Sequence, residues 1–236
     1  MMATLLVDQA YAIDHPCATG EVRTGKLGSF GKGDTFYLIG SQQKFRLADI
    51  VTAPVGEPLR IPTRELVLYS ASLQPDRYGR HAVHVFHQGR WLQGDLLKQG
   101  KALAYPTTDR ISCRKALLDE ETKNTAIRVN YWQSKGVEFR ATDLDLLSDK
   151  LGHFVLVTGV VRSVGDRKRR LYLNFGENWA HDFTVSVAKQ GAGKFKGSLS
   201  SLTKLKDKQV QVRGVLENNR GPLIRVIDEI QIQIIN

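Results

Sequence analysis

A run of four cations, Arg167-Lys168-Arg169-Arg170, stands between two stretches of β pattern and is followed by Tyr172 and, a turn later, Trp179. Guanidinium and ammonium groups neutralise backbone phosphates whatever the base, and an aromatic face stacks on any base. Together they suit tracking along a single strand of DNA or RNA. The same run is also what a solvated hairpin tip looks like, and Leu171, Leu173 and Phe175 alternate with the aromatic candidates as core residues would. Both readings stay open on the residues alone, with Tyr172 and Trp179 the better stacking candidates.

His81, His84 and His87 form a second group whose type invites chemistry, that of a metal site. On a strand, His81 and His87 point one way and His84 the other, so the three do not converge on one ion. They are expected to be solvated or to lie at the edge of a core. Cys17 and Cys113 have no metal-binding spacing; one bridge between them is possible, but the sequence does not require it.

The elements that must carry these groups follow from periodicity. Tyr78-Gly79 signals a turn, His81 to Phe86 alternates as a half-buried strand, Gln88-Gly89 signals a second turn, and Leu92, Leu96, Leu97 and Leu103 fall on one side of a short helix. Upstream, Gly20 to Ile50 reads as β with turns at Gly28, Gly31, Gly33 and Gly40, and Arg64 to Ser70 as one strand. Pro54, Pro58 and Pro62 leave no room between them for a helix of useful length. Ser112 to Trp132 reads as a helix with Ser112 as its N-cap and Ala116, Leu117, Ile127 and Tyr131 as its apolar stripe. The polar, acidic stretch from Glu138 to Lys150 is expected to connect this half to a second β domain. Strands are expected there over His153–Val164, Arg170–Phe175, Asp182–Val187, Gln209–Leu216 and Leu223–Ile234, with one short helix within Gly197–Lys206. Three strands, a helix and two strands is the order of an oligonucleotide-binding Greek-key barrel.

Three motifs in order, Lys32-Gly-Asp-Thr-Phe-Tyr-Leu38, Lys44-Phe-Arg-Leu-Ala-Asp-Ile50 and Tyr78-Gly-Arg80 with the helix Gly94–Ala104, resemble the staphylococcal nuclease (thermonuclease) family over roughly residues 20 to 133. The resemblance implies a variant of the same barrel and calcium-dependent phosphodiester cleavage. It makes Arg46 and Arg80 the catalytic clamp on phosphate oxygens, Asp34 a metal ligand, and Thr52 the residue nearest a second metal-ligand position. Lys32 stands where the family has its first aspartate, and Val55 where it has the glutamate assigned as base; Glu57 is the nearest acid. Arg46 and Asp34 would also make an ordinary structural ion pair. Leu171-Tyr-Leu-Asn-Phe-Gly176 with Asp182-Phe-Thr-Val185 is similar to modules that follow nuclease-like domains in some bacterial proteins.

The expected architecture is therefore mainly β with helices: two tandem OB-like Greek-key barrels, with a nuclease-like domain over 18–137, a linker over 138–151 and an OB-like domain over 152–236. The expected function is binding of single-stranded DNA or RNA by a protein whose phosphodiesterase site is degenerate, with at most a weak Ca2+ site. Two other classes stay in view, an active metal-dependent nuclease in which Glu57 or another group replaces the missing acid, and a non-catalytic protein-interaction scaffold.

Composition agrees with a polyanionic partner. The net charge is +10 and the pI near 9.7, with each of residues 1–140 and 141–236 carrying +5, so the excess is not confined to a tail. No membrane span is expected. Met1 to Val7 is apolar and Ala10-Tyr-Ala12 has the small-x-small form of a signal-peptidase site, without the positive n-region. That start reads either as a frayed terminus of a cytoplasmic protein or as a shortened leader of a periplasmic or secreted one.

Overall fold

The computed structural model describes residues 13–30, 35–52, 65–105, 111–123, 132, 136–178, 181–190 and 199–235. The fold is mainly β, and the chain divides into two compact units, residues 1–128 and 129–236. The N-terminal stretch that reads as a frayed terminus or a shortened leader, Ala10-Tyr-Ala12 included, lies outside the described residues. Among the described residues no helix is long and apolar enough to cross a membrane.

In the first unit, β1 (Val22–Phe30), β2 (Thr35–Leu38), β3 (Lys44–Leu47), β5 (Glu65–Ser70) and β6 (Arg80–His87) form one ladder, with β4 (Ile50–Thr52) set apart from it. The order is β3-β2-β1-β5-β6, and β3 also pairs in parallel with β6, so the ladder closes on itself. β1 makes this possible by serving two partners. Its first half pairs with β5 and its second half with β2, across a bulge between Leu27 and Ser29. At that bulge a side chain on Gly28 would meet the backbone nitrogen of Ile39 at 3.0 Å, which accounts for the glycine. Phe36, Phe45, Leu47, Leu66 and Leu68 are buried, the last four at alternating positions of their strands, and β6 buries the adjacent Val85 and Phe86 as well.

β7 (Arg90–Trp91) leads into α1 (Leu92–Lys98), which packs through Leu92, Leu96 and Leu97 as expected. Leu103 does not belong to that helix. Gly100, at a positive φ of 69°, ends it, and Leu103 sits in β8 (Ala102–Ala104), which pairs with β4. Gln93 of α1 is fully buried. Its amide accepts from the Val85 N–H at 3.1 Å and donates to the Val83 carbonyl at 2.8 Å, so a side chain completes the edge of β6 as a strand would.

α2 (Ile111–Thr122) places Ser112 one residue inside the helix rather than at its N-cap. Glu121 near its end accepts from the Ala104 N–H at 2.7 Å, tying α2 to β8. Trp132, which belongs to the second unit, is helical and fully buried, whereas Ile127 and Tyr131 lie outside the described residues. Cys17 and Cys113 form a disulfide that joins the turn before β1 to α2. His84 is not solvated or at an edge. Residues 82 to 86 of β6 are buried on both faces, so the strand offers His84 no solvent side, and its ring is fully enclosed.

In the second unit, β10 (Phe154–Val160), β11 (Ser163–Asp166), β12 (Arg170–Asn174), β13 (Thr184–Ala188), β14 (Gln209–Asn218) and β15 (Pro222–Val226) run β11-β12-β13-β15-β14-β10. The two ends of this order, β11 and β10, are consecutive in the chain. The single strand expected over His153–Val164 breaks at buried Val161, whose N–H donates to the Lys208 carbonyl instead of to a ladder partner. β13 and β15 pair in parallel, with the short helix α4 (Ser200–Thr203) between β13 and β14. The expected last strand also splits: a 3-10 turn at Glu229–Gln231, capped by Asp228, separates β15 from β16 (Ile232–Ile234), which pairs with β14.

The connector expected over 138–151 is part of this unit. Glu138–Arg140 form β9, parallel to β10, and α3 (Leu144–Ser148) delivers Leu147 into the core with Val155, Val157, Phe183 and Ile224. Phe139, Ala141, Leu144 and Leu147 are the apolar residues that draw an otherwise acidic segment inward.

Candidate functional site

The first unit brings its two predicted arginines together. In the parallel β3/β6 ladder Arg46 lies opposite Ala82, two residues beyond Arg80, so the two guanidinium-bearing residues share one face of neighbouring strands. Between them stands Asp76, from the loop before β6. Arg80 donates through Nε to Asp76 Oδ2 at 2.9 Å, and its Nη2 lies 2.9 Å from the same oxygen. Arg46 Nε is 3.4 Å from that oxygen, without the alignment of a hydrogen bond. Arg46 Nη1 donates to the Leu47 carbonyl at 3.3 Å.

Asp76 is itself held by its turn. Its Oδ1 accepts from the backbone N–H of Tyr78 at 2.9 Å and of Arg80 at 3.0 Å, and Gly79, at a φ of 74°, closes the loop. Burial alone would raise the carboxyl pKa. The backbone and side-chain hydrogen bonds from Arg80, the Tyr78 N–H and the Arg80 charge outweigh it and hold Asp76 below its ordinary 3.8. Arg77 and Arg80 both lie over the Tyr78 ring, at 5.1 and 5.3 Å from its centroid.

Calcium takes about six to eight oxygen ligands, mostly carboxylate and carbonyl. The carboxylate at the arginine pair is already shared by two guanidinium groups, so a cation brought to Asp76 would stand beside two like charges. Thr52 is half-buried in the β4/β8 ladder opposite Ala102. Asp34 and Glu57 lie outside the described residues. The described donors do not fit calcium.

In the second unit a cleft of about 440 Å³ opens on the outward face of β11, β12 and β13. Arg167, Gly165, Tyr172, Asn174 and Thr184 line it from the sheet and the β11–β12 loop. Asn219, Arg220 and Gly221 line it from the β14–β15 hairpin. Two predicted residues, Arg167 and Tyr172, therefore meet in one concavity. Tyr172 and Asn174 alternate with buried Leu171 and Leu173, which sends the tyrosine outward, half-exposed.

The rest of the basic run divides by role. Arg170 donates to Ser186 Oγ at 3.0 Å across the β12/β13 ladder. Arg167, Lys168 and Arg169 are exposed, and Asp166 beside them is paired with Lys189. Asp182, the acid at the cleft, accepts from the Asn178 N–H at 2.7 Å. Trp179 lies outside the described residues.

The residues the sequence reading missed are Asp76 and Arg220. Asp76 begins the very stretch that carries Arg80, and its offset of four from Arg80 was the available signal. Arg220 sits in Asn218-Asn-Arg-Gly221, a turn signature between two apolar strands, and has a positive φ of 68°. A side chain on Gly221 would meet the His181 carbonyl oxygen at 2.8 Å, so this hairpin is pressed against the β13 side of the cleft.

A comparison of the sequence with protein-family models finds no match, and a comparison with curated proteins finds none either.

Proposed function

We propose that the chain binds single-stranded nucleic acid through the cleft of its second unit, and that its first unit is a thermonuclease-like barrel keeping a phosphate-binding arginine pair without a hydrolytic centre. The observation that carries the reading is the cleft itself. Arginines from two separate loops, Arg167 and Arg220, flank an outward tyrosine on the sheet between them. Cations at the rim would follow the phosphates while Tyr172 stacks on a base, a combination that tolerates any sequence.

The topology supports the finer fold assignment. Each barrel-like ladder has a parallel pair among mostly antiparallel neighbours, β3/β6 in the first unit and β13/β15 in the second, where β9 adds a further parallel strand beside β10. In the second unit the helix falls between the third and fourth strands, taking β10 and β11 as one interrupted strand. This is the order of an OB-like barrel, whose binding surface is the face of the second and third strands between the first-to-second and fourth-to-fifth loops. The cleft occupies the corresponding face here.

The reading of the first unit rests on Asp76. Arg46 and Arg80 are already neutralised in part, so an incoming phosphate must compete with a carboxylate for them. Such competition weakens ground-state binding and leaves phosphate contact as a supplement to the cleft. Incubation of the purified chain with single-stranded DNA and RNA, with calcium or with chelator, tests both parts. Salt-sensitive binding of intact strand is expected in either condition. Calcium-dependent cleavage lost in Arg80→Ala would overturn the degenerate-site reading, and absence of binding at low salt would leave the protein-interaction class.

A further inference from the structure

The Cys17–Cys113 disulfide lies in a polar pocket of the first unit's core that neither proposed nucleic-acid contact uses. His84 Nε2 is 3.3 Å from Cys113 Sγ and 3.3 Å from Asp49 Oδ2, and Cys17, Cys113, His84 and Asp49 are all essentially without solvent contact. The Sγ atoms of both cysteines and a ring nitrogen of His84 lie within 4.8 Å of one another. His84 Nδ1 is buried with no hydrogen-bond partner. A histidine enclosed against a disulfide with its Nδ1 unpaired costs desolvation that a sulfur bridge, a weak acceptor, does little to offset.

A catalytic nucleophile would need a standing path to its substrate, which these enclosed sulfurs lack, whereas a reductant and a metal ion need to reach them only once, through a transient local opening. Metal binding does explain the cluster. Neighbouring donors around a tetrahedral zinc, at bond lengths of about 2.3 Å to sulfur and about 2.0 Å to imidazole nitrogen, stand roughly 3.5 Å apart. The 3.3 Å between Cys113 Sγ and His84 Nε2 is close to that spacing. Two thiolates and an imidazole are a donor set that selects zinc over calcium or magnesium.

We propose that reduction of the Cys17–Cys113 disulfide converts this pocket into a zinc site, with Cys17 and Cys113 thiolates and His84 Nε2 as ligands and the Asp49 carboxylate beside them as the fourth donor. The reductant is a dithiol: it gives two electrons and two protons, the S–S bond opens to two thiols, and the reductant leaves as its own disulfide. Zinc then displaces the two thiol protons to solvent as two Zn–S bonds form. The ring proton of His84 resides on Nδ1 while Nε2 bonds the metal. The turn before β1 and α2 are cross-linked in both states, by sulfur in one and by metal in the other.

The test uses the full chain reduced with a phosphine, which does not compete strongly for the metal, and Co2+ as the optical probe. One cobalt per chain, with thiolate-to-cobalt charge-transfer absorption in the near ultraviolet, intense tetrahedral visible bands and bleaching on addition of zinc, is the expected result. The oxidised chain should show none of these. His84→Gln should bind cobalt weaker by at least tenfold and with altered visible bands. Should a substituted chain fail to fold, the comparison of reduced with oxidised wild type decides. Reduced wild type without thiolate–cobalt absorption, or a His84→Gln chain with the wild-type spectrum and affinity, would overturn the proposal.

Discussion

Gly165 lies directly opposite Tyr172 in the β11/β12 ladder, so no neighbouring side chain on that strand covers the tyrosine where it meets the cleft. A Cβ added at Gly165 would stand 3.7 Å from Tyr172 Cβ, an ordinary contact, so the strand tolerates a side chain there, and that side chain would occupy part of the cleft lining. Gly165→Thr is expected to keep the fold and weaken single-strand binding. Tyr172→Ala should lose about 1–3 kcal/mol, the usual worth of one stacked base. Fluorescence anisotropy with a labelled oligonucleotide, beside circular dichroism for fold, checks both.

Arg167 and Arg220 should act through phosphate, without regard to sequence. Arg167→Ala is expected to weaken binding uniformly across oligonucleotides and to reduce the slope of log affinity against log salt by about 0.7, the value for one phosphate contact on a single strand. Titrations at several salt concentrations measure it. Arg170, engaged with Ser186, should change the slope less when substituted.

Asp76 restrains the arginine pair and braces its own turn at once. Asp76→Asn should cost about 1–2 kcal/mol of stability, the scale of charge-assisted hydrogen bonds in a partly exposed setting. It should also raise affinity for inorganic phosphate through Arg46 and Arg80. The native carboxyl has a pKa below the ordinary 3.8, so its contribution is complete above that value and is lost as pH falls through the lower native one. Denaturant unfolding at a series of acidic pH values should show this loss in wild type and not in Asp76→Asn.

Cys17 and Cys113 are 96 positions apart, and a bridge closing a loop of that size is worth up to about 4–5 kcal/mol through the unfolded state. Reduction in the presence of a chelator should lower the thermal midpoint, and Cys17→Ser should reproduce the shift without further response to reductant. Differential scanning calorimetry measures both.

Most strands were legible because their apolar residues alternate, as in Glu65–Ser70 and Arg170–Asn174. Breaks were less so. Val161 keeps the apolar phase through the interruption between β10 and β11, and Leu103 keeps a helical offset although Gly100 has already ended the helix. The burial of His84 is not legible in the sequence, because a strand buried on both faces has no period to show which side is wet. Arg46 and Arg80 could be paired only through motif order, since the parallel β3/β6 contact joins residues far apart in the chain. Asp76 between them depends on a turn that bends back onto its own strand, which spacing alone does not reveal.

The affinity of wild type and Tyr172→Ala for a short labelled single strand, measured at low and moderate salt, tests whether the cleft is the strand-binding surface. Wild type should bind in a salt-sensitive way, and the variant should bind about 5- to 150-fold more weakly at both salts with its fold intact, the equivalent of about 1–3 kcal/mol. Equal affinity of the two proteins would contradict that assignment, because the cleft would then not be where the strand binds.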